Sequence, residues 1–359
     1  MNGVIARCSY FGGRAGLAAT LRTNSSISEG LRRELTLRRL PLAFDYLHPQ
    51  PSHLLDLTLR GVLPDPQPLS EDDVALPSVN SNRFLPAGHH LVYFPPQVAL
   101  SQLLPDGTDA LHSPGEPFGR RLWAGGKVRF PAASELVLDG SRAVCIETIR
   151  DVIVKGRQGE EKVVVKIERR VATVQEDEKE SSIRERIWKE DEDNVGQSSI
   201  IENRDLVFMR KKTREQLDHD RAKFEEEPRF ITSPADPEFR HKIKPSRALL
   251  FRFSALTFNA HAIHLDEAYT RNVEGFRSLL VHGPLTLALL LTALHAHLIK
   301  YNRNIREIEY KNLAPLYAEE SLSICGKPKT SKYNAAWDVW IENKNGGLAV
   351  RGVVQTDPL

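Results

Sequence analysis

Residues 285–299 read LTLALLLTALHAHLI, a helical run of 15 residues that is apolar almost all round. Gly283-Pro284 stands directly before it, and proline is tolerated in the first helical turn because its missing N–H has no partner there anyway. A helix with so little polar face must be covered on nearly every side. A membrane span needs ~20 apolar residues, and this run is shorter and carries His295 and His297. A helix wrapped by a sheet satisfies the pattern.

The flanking sequence supplies that sheet. Ala248–Phe253 reads as a short strand and Ser254–Asp266 as a compact polar turn or short helix. After the helix come strand patterns at Glu307–Tyr310, Leu316–Ile324, Ala335–Glu342 and Leu348–Gln355, the last two joined by the hairpin signal Lys344-Asn345-Gly346-Gly347. One helix followed by an antiparallel meander is the pattern of the hot-dog fold. The first half is also strand-rich. Arg142–Val154, Val163–Val174 and Ile200–Lys212 all read as strands, and Val163, Val165, Ile167 and Val171 mostly share one face. The expected class is therefore α+β, a double hot dog with antiparallel sheets wrapped around a central helix. The first half shows no such helix of its own. Its other expected elements are a helix within 45–64 capped by Ser52, with Leu54, Leu55, Leu57 and Leu59 facing a core, and a short strand at His89–Phe94. The expected division is 41–213 for the first hot dog, 214–241 for a linker and 242–359 for the second. Residues 175–199 form an acidic insertion, because Gln175–Gly196 holds nine acids against four bases, too polar to order itself.

Lys+Arg is 49 and Asp+Glu is 47, so no cationic surface for nucleic acid is implied. The charge is uneven: residues 1–40 hold seven Arg and two Glu. Met1–Ser28, rich in Arg, Ser, Ala and Gly, has the composition of a mitochondrial transit peptide, the alternative being a disordered basic tail. Cys8, Cys145 and Cys325 have no CxxC spacing, so neither a zinc ribbon nor a disulfide framework is supported. Cys145 and Cys325 read as small buried apolar residues in a reducing compartment. Dinucleotide, P-loop, GxSxG and HExxH signatures are lacking.

What remains is Thr257-Phe258-Asn259-Ala260-His261-Ala262-Ile263-His264-Leu265-Asp266, followed by Val281-His282-Gly283-Pro284. Asn259 and His264 can converge on an irregular overhang. Metal binding by His261, His264 and Asp266 is a rival, weakened because zinc sites want three or four ligands and no further cluster supplies them. A purely structural reading has Asn259 capping a turn and the histidines satisfying backbone groups. Arg120 and Arg121 suit either the phosphate of a phosphopantetheine arm or an acid within the fold.

Phe253–His264 together with Val281–Leu289 resembles the motif of the hydratase 2 (MaoC-like) superfamily, closest to the mitochondrial type 2 hydroxyacyl-thioester dehydratases and the related mesaconyl-C4-CoA hydratases. Arg121-Leu122-Trp123-Ala124-Gly125-Gly126 resembles an R-x-W-A-G-G element of their N-terminal hot dog. The likeness covers about residues 45–359. It implies a (3R)-hydroxyacyl-thioester dehydratase of mitochondrial fatty-acid synthesis, located in the matrix, with no metal and no cofactor beyond the phosphopantetheine of acyl carrier protein or CoA that carries the substrate. It also implies a monomer or homodimer without a membrane span. The alternatives are a CoA-thioester hydratase of the mesaconyl-C4-CoA type and a non-catalytic acyl-thioester-binding protein. The superfamily pattern G-D-x-N-P-x-H meets Asn259 in the Asp place, His261 in the Asn place and His264 in the His place. Asparagine cannot be a base, so the expected roles are His264 as the proton-exchanging base and Asn259 as the holder of water or β-hydroxyl. Gly283, His261 and Arg121 are expected to bind substrate, with Gly283 admitting a ligand close to the helix N-terminus. Asp266 is a candidate to tune His264, and His282 a rim or packing residue. Trp123 is read as shaping packing or an acyl channel.

Overall fold

A computed structural model describes residues 28–63, 70–131, 135–224, 226, 231–329 and 335–359. Cys8 and all but the last residue of the Met1–Ser28 transit-peptide reading fall on residues 1–27, outside them. Among the described residues ten strands form one antiparallel sheet. They are β1 (Ala43–Tyr46), β2 (Arg120–Arg129), β3 (Arg142–Lys155), β4 (Lys162–Thr173), β5 (Ile200–Met209), β6 (Phe239–Ile243), β7 (Arg303–Asn312), β8 (Leu322–Pro328), β9 (Ala336–Glu342) and β10 (Leu348–Pro358), in the order β1-β3-β4-β5-β2-β7-β10-β9-β8-β6. The first five in space come from the N-terminal half and the last five from the C-terminal half. β2 and β7 make the seam, where Gly125 faces Lys311 and Gly126 faces Tyr310.

That seam explains the paired glycines. A Cβ on Gly125, whose φ is +145°, would fall 2.3 Å from the Tyr310 carbonyl oxygen. One on Gly126 would fall 2.0 Å from the Asn203 carbonyl oxygen on the other neighbour, β5. Only glycine lets β2 pass between both neighbours at this register shift.

The long helix spans Gly283–Leu298 and packs against β2, β7, β8 and β9. It is long and apolar enough, with its last turn, to pass a length test for a membrane span, but most of it is buried inside the fold. Leu285, Leu287, Leu289, Leu291, Leu294 and Leu298 are fully enclosed, each contributing roughly 1.5–3 kcal/mol by removal from water. The superfamily architecture expected from the sequence is the one observed, an α+β double hot dog.

Several local expectations differ from the structure. Ala248–Phe253 is not a strand but part of a helix, Arg247–Leu256, whose Ser246 hydroxyl accepts from the Leu249 N–H at 3.1 Å. Leu249, Leu250, Phe253 and Ser254 make its buried stripe, a helical period. His89–Val92 is a 3-10 turn rather than a strand, entered from Gly88 at φ +94°. The helix Pro49–Leu59 begins ahead of Ser52; that hydroxyl lies instead 2.7 Å from His89 Nδ1 in the interior. The Arg121–Gly126 element of the resemblance lies on a strand, β2. β8 begins only at Leu322, because Leu316 and Ala318 pair with residues 279–281 instead.

The expected boundaries shift as well. Residues 28–36 are helical, and Leu35 and Leu40 are buried against Phe118, Ile149 and Val152, so the fold begins before residue 41. The acidic segment is ordered: within it the helix Glu180–Ile187 buries Ile183 and Ile187 against Val144, Ile146 and Ala172. Two isoleucines one turn apart suffice to anchor a charged helix. The 214–241 segment contains a helix, Arg214–Ala222, and the start of β6. Cys145 and Cys325 are both free and buried.

Candidate active site

The long helix, the 257–266 overhang and the N-terminal half enclose a cavity of about 800 Å³. Asn259, His261, His264, Gly283, Arg121 and Trp123 all line it. All five expected site residues thus meet in one chamber. Among the described residues no group of three or more His, Cys, Asp or Glu is arranged to hold a metal ion.

His264 closes a 3-10 turn, Ala262–His264. Its Nδ1 lies 2.8 Å from the Leu280 carbonyl oxygen. A carbonyl only accepts, so Nδ1 carries the hydrogen and Nε2 keeps the lone pair. Burial pushes the His264 pKa down to about 4, aided by the Arg121 charge and opposed by the Leu280 bond. The ring is therefore neutral at pH 7. Leu280 is itself fixed: its N–H donates to the Ile263 carbonyl, and Val281 N–H donates to the Leu316 carbonyl.

His282 is not a rim residue but fully buried. It stacks on His264 with 3.6 Å between centroids, and its Nε2 lies 2.8 Å from the Ser254 hydroxyl. Burial, then the neighbouring His264 and His261, hold its pKa well below the usual value. His261 meets His264 edge-on, 5.5 Å between centroids.

Asn259 forms a local turn: its side-chain Oδ1 accepts the His261 N–H at 3.0 Å. That leaves its Nδ2 as donor. Asp266 does not tune His264. Its Oδ1 accepts the Tyr269 N–H and caps the helix Glu267–Asn272, which also removes the third ligand of the metal alternative.

Gly283 opens the long helix, whose first internal bond runs from Thr286 N–H to the His282 carbonyl, so the Gly283 N–H precedes the ladder at the positive end. Its Cβ place, expected to admit ligand, is already filled: that atom would stand 2.8 Å from Trp123 Cβ and 3.0 Å from Asn312 Nδ2. Of the two arginines, Arg120 is buried with its Nε 2.8 Å from Glu274, which leaves it no phosphate to serve. Arg121 sits at the cavity but pairs with Asp109 at 3.2 Å. Trp123 donates to the Tyr310 hydroxyl at 2.7 Å and lies under the Arg204 guanidinium, 4.6 Å from the ring centroid.

Sequence reasoning missed the polar wall of this chamber. Glu147, Arg169 and Glu202 are direct register neighbours across β3, β4 and β5. Arg169 lies 3.3 Å from Glu147 and 3.0 Å from Glu202, and Arg204 is 2.8 Å from Glu202. His112 pairs with Glu147. Burial works against both carboxylates, yet His112 and Arg169 hold Glu147, and Arg204 and Arg169 hold Glu202, below the ordinary range. The alternation Glu202, Arg204 along β5 was visible, but its partners required the strand register.

A family model for hydroxyacyl-thioester dehydratase type 2 matches residues 88–318. A mitochondrial hydroxyacyl-thioester dehydratase type 2 of Schizosaccharomyces pombe is 27% identical over 290 residues, 78% of this chain and 88% of that protein. A mesaconyl-C(4)-CoA hydratase of Chloroflexus aurantiacus is 28% identical over 274 residues, 76% of this chain and 83% of that protein. The fold matches a crystal structure of a MaoC-like dehydratase from Phytophthora capsici with a TM-score of 0.57 at 12% identity, covering 90% of this chain and 98% of that one. With the matched segment running from the buried His89–Val92 turn through the overhang and the whole long helix, the chain belongs to the hydroxyacyl-thioester dehydratase type 2 family.

Proposed function

We propose that the protein is a hydro-lyase that removes water from (3R)-hydroxyacyl thioesters to give trans-2-enoyl thioesters. The observation that carries this reading is the tethered His264: with Nδ1–H held by Leu280, the basic Nε2 belongs to a ring lining the same cavity as the first N–H of the long helix.

The chemistry follows from elementary steps. His264 Nε2 takes the proton from C2 of the substrate, and the charge moves to the thioester oxygen. The Gly283 N–H at the helix terminus stabilises that oxygen. Asn259 Nδ2 donates to the β-hydroxyl and orients it. The C3–O bond breaks, the C2 electron pair closes the double bond, and the hydroxyl departs as water with the proton taken from C2. Both carbons are accounted for without a redox partner, so the carrier's phosphopantetheine is the only prosthetic element required.

The acyl group extends into the cavity of about 800 Å³. The arginines on its wall are matched by carboxylates, which favours an uncharged acyl chain over the dicarboxylate of a mesaconyl-type substrate. In this reading the protein works in the mitochondrial matrix on acyl carrier protein thioesters, and one chain, holding two hot dogs, acts as a monomer.

The test is hydration of crotonyl-CoA and longer enoyl-CoA by the purified protein, with chiral analysis of the product. The R enantiomer is expected, and His264→Ala should abolish turnover while circular dichroism stays unchanged. Full activity in that variant would remove His264 from its role; an inactive native protein would favour a non-catalytic thioester binder.

A further inference from the structure

The carboxylate that asparagine cannot supply at position 259 is present elsewhere. The turn at 104–108 of the N-terminal half presses on the overhang: the Asp106 carbonyl accepts the Ala262 N–H at 2.8 Å, and a Cβ on Gly107 would fall 2.1 Å from the Ala260 carbonyl oxygen. This contact carries the Asp106 side chain into the interior. Its Oδ1 accepts from the Thr108 N–H and hydroxyl, at 3.0 and 2.7 Å. Its Oδ2 lies 3.6 Å from His261 Nε2. Both residues are buried, and among the described residues His261 Nε2 has no hydrogen-bond partner. A buried ring nitrogen without a partner is costly unless function keeps it so, and catalytic bonds often tighten only when substrate arrives.

We propose that Asp106 is a positioning residue for His261, and that His261 is a second catalytic group, passing the proton from His264 to the departing oxygen. This rests on the dehydratase reading above. A carboxylate beside Nε2 selects the tautomer with hydrogen on Nε2 and leaves the Nδ1 lone pair free, the orienting role an aspartate plays for the histidine of a hydrolase triad. The step balances. The C2 proton binds His264 Nε2, passes to His261 Nδ1 as the edge-on pair, 5.5 Å between centroids, closes around the substrate, and leaves with the hydroxyl as water. Both rings start and finish neutral, in keeping with the low affinity for protons that burial gives each of them. Asp106 stabilises the imidazolium formed in between, against burial and the opposing charge of Arg121. His282, stacked on His264, and Tyr269, beside Asp106 and Glu274, are further titratable groups of this cluster, with Asp109 paired to Arg121.

Asp106→Asn is the informative change. Its amide oxygen can keep the Thr108 bonds, while its amide nitrogen turns a donor toward Nε2 and drives the His261 hydrogen to Nδ1. Ring nitrogen NMR of the full chain, with His261 assigned by its loss in His261→Gln, should show hydrogen on Nε2 in the native protein and on Nδ1 in Asp106→Asn. In crotonyl-CoA hydration kcat should fall about 100-fold with KM within about twofold and an unchanged Tm. The double variant Asp106→Asn/His261→Gln should be no slower than His261→Gln. An unchanged tautomer, an unchanged kcat, or losses that multiply in the double variant would each overturn the proposal. A tautomer switch in Asp106→Asn, found together with a native protein that has no hydratase activity, would overturn the dehydratase reading and the relay together, and leave the Asp106–His261 pairing standing.

Discussion

The imidazoles of His264 and His282 lie face to face, 3.6 Å between centroids and 23° from parallel. One ring is thereby clamped between a backbone carbonyl at its edge and a buried neighbour on its face. His282→Phe should keep the stack and retain most hydratase turnover. His282→Ala should remove it and lower kcat by at least about tenfold, a small misplacement of a reacting group being enough for such losses. Steady-state kinetics of the two variants separate a packing role from an ionic one.

The pH dependence follows from where His264 titrates. Its pKa lies at about 4 in the fold and near ~6.5 when unfolded. The neutral ring is the active form, so kcat/KM should stay level from neutral pH down to about 5.5 and fall only as pH approaches about 4. A sharp decline centred at pH 6.5 would contradict a desolvated base. Stability moves in the same window. The folded-state pKa is depressed, so the unfolded chain takes up protons first, and stability present above pH 6.5 is lost as pH falls toward 4. His89 and His90, which burial also lowers to about 4, add to the effect. Thermal melts at pH 7, 5.5 and 4.5 should show Tm falling steadily.

Arg169 stands between two buried carboxylates in a cross-strand row. Arg169→Met should remove the charge between Glu147 and Glu202, leaving Glu147 to His112 and Glu202 to Arg204, and cost about 3 kcal/mol, measured by urea unfolding. Replacing all three together with His112 and Arg204 by apolar residues of similar volume should cost far less, because the penalty comes from stranded charges.

Gly283→Ala places a methyl group 2.8 Å from Trp123 Cβ. Overpacking of this kind costs about 1–3 kcal/mol, and here it moves the helix terminus that faces the thioester oxygen. The variant should lose more in kcat than in stability, as seen by comparing hydration kinetics with the urea midpoint.

Much of this was readable from the chain alone, for physical reasons. The 283–298 helix announces itself by lacking a polar face, and the Lys344–Gly347 hairpin by residues that accept its backbone angles. The Asn259, His261 and His264 grouping needs only local geometry. Arg247–Leu256 misleads because Phe251-Arg252-Phe253 alternates like a strand, although Ser246 and the 249, 250, 253, 254 spacing mark a capped helix. The acidic 175–199 segment misleads because bulk charge hides two anchoring isoleucines. Asp106 and the Glu147–Arg169–Glu202 row were beyond reach: each acquires meaning only from a partner distant in sequence that folding brings alongside.

The β2–β7 junction has a mechanical consequence. Because both halves share one uninterrupted ladder, closed tightly at Gly125 and Gly126, they lack a pivot about which to part. A thioester arm must then reach the chamber without the halves parting, with the acyl tail leading. Its length is then limited by depth behind a rigid wall, not by how far two lobes can yawn.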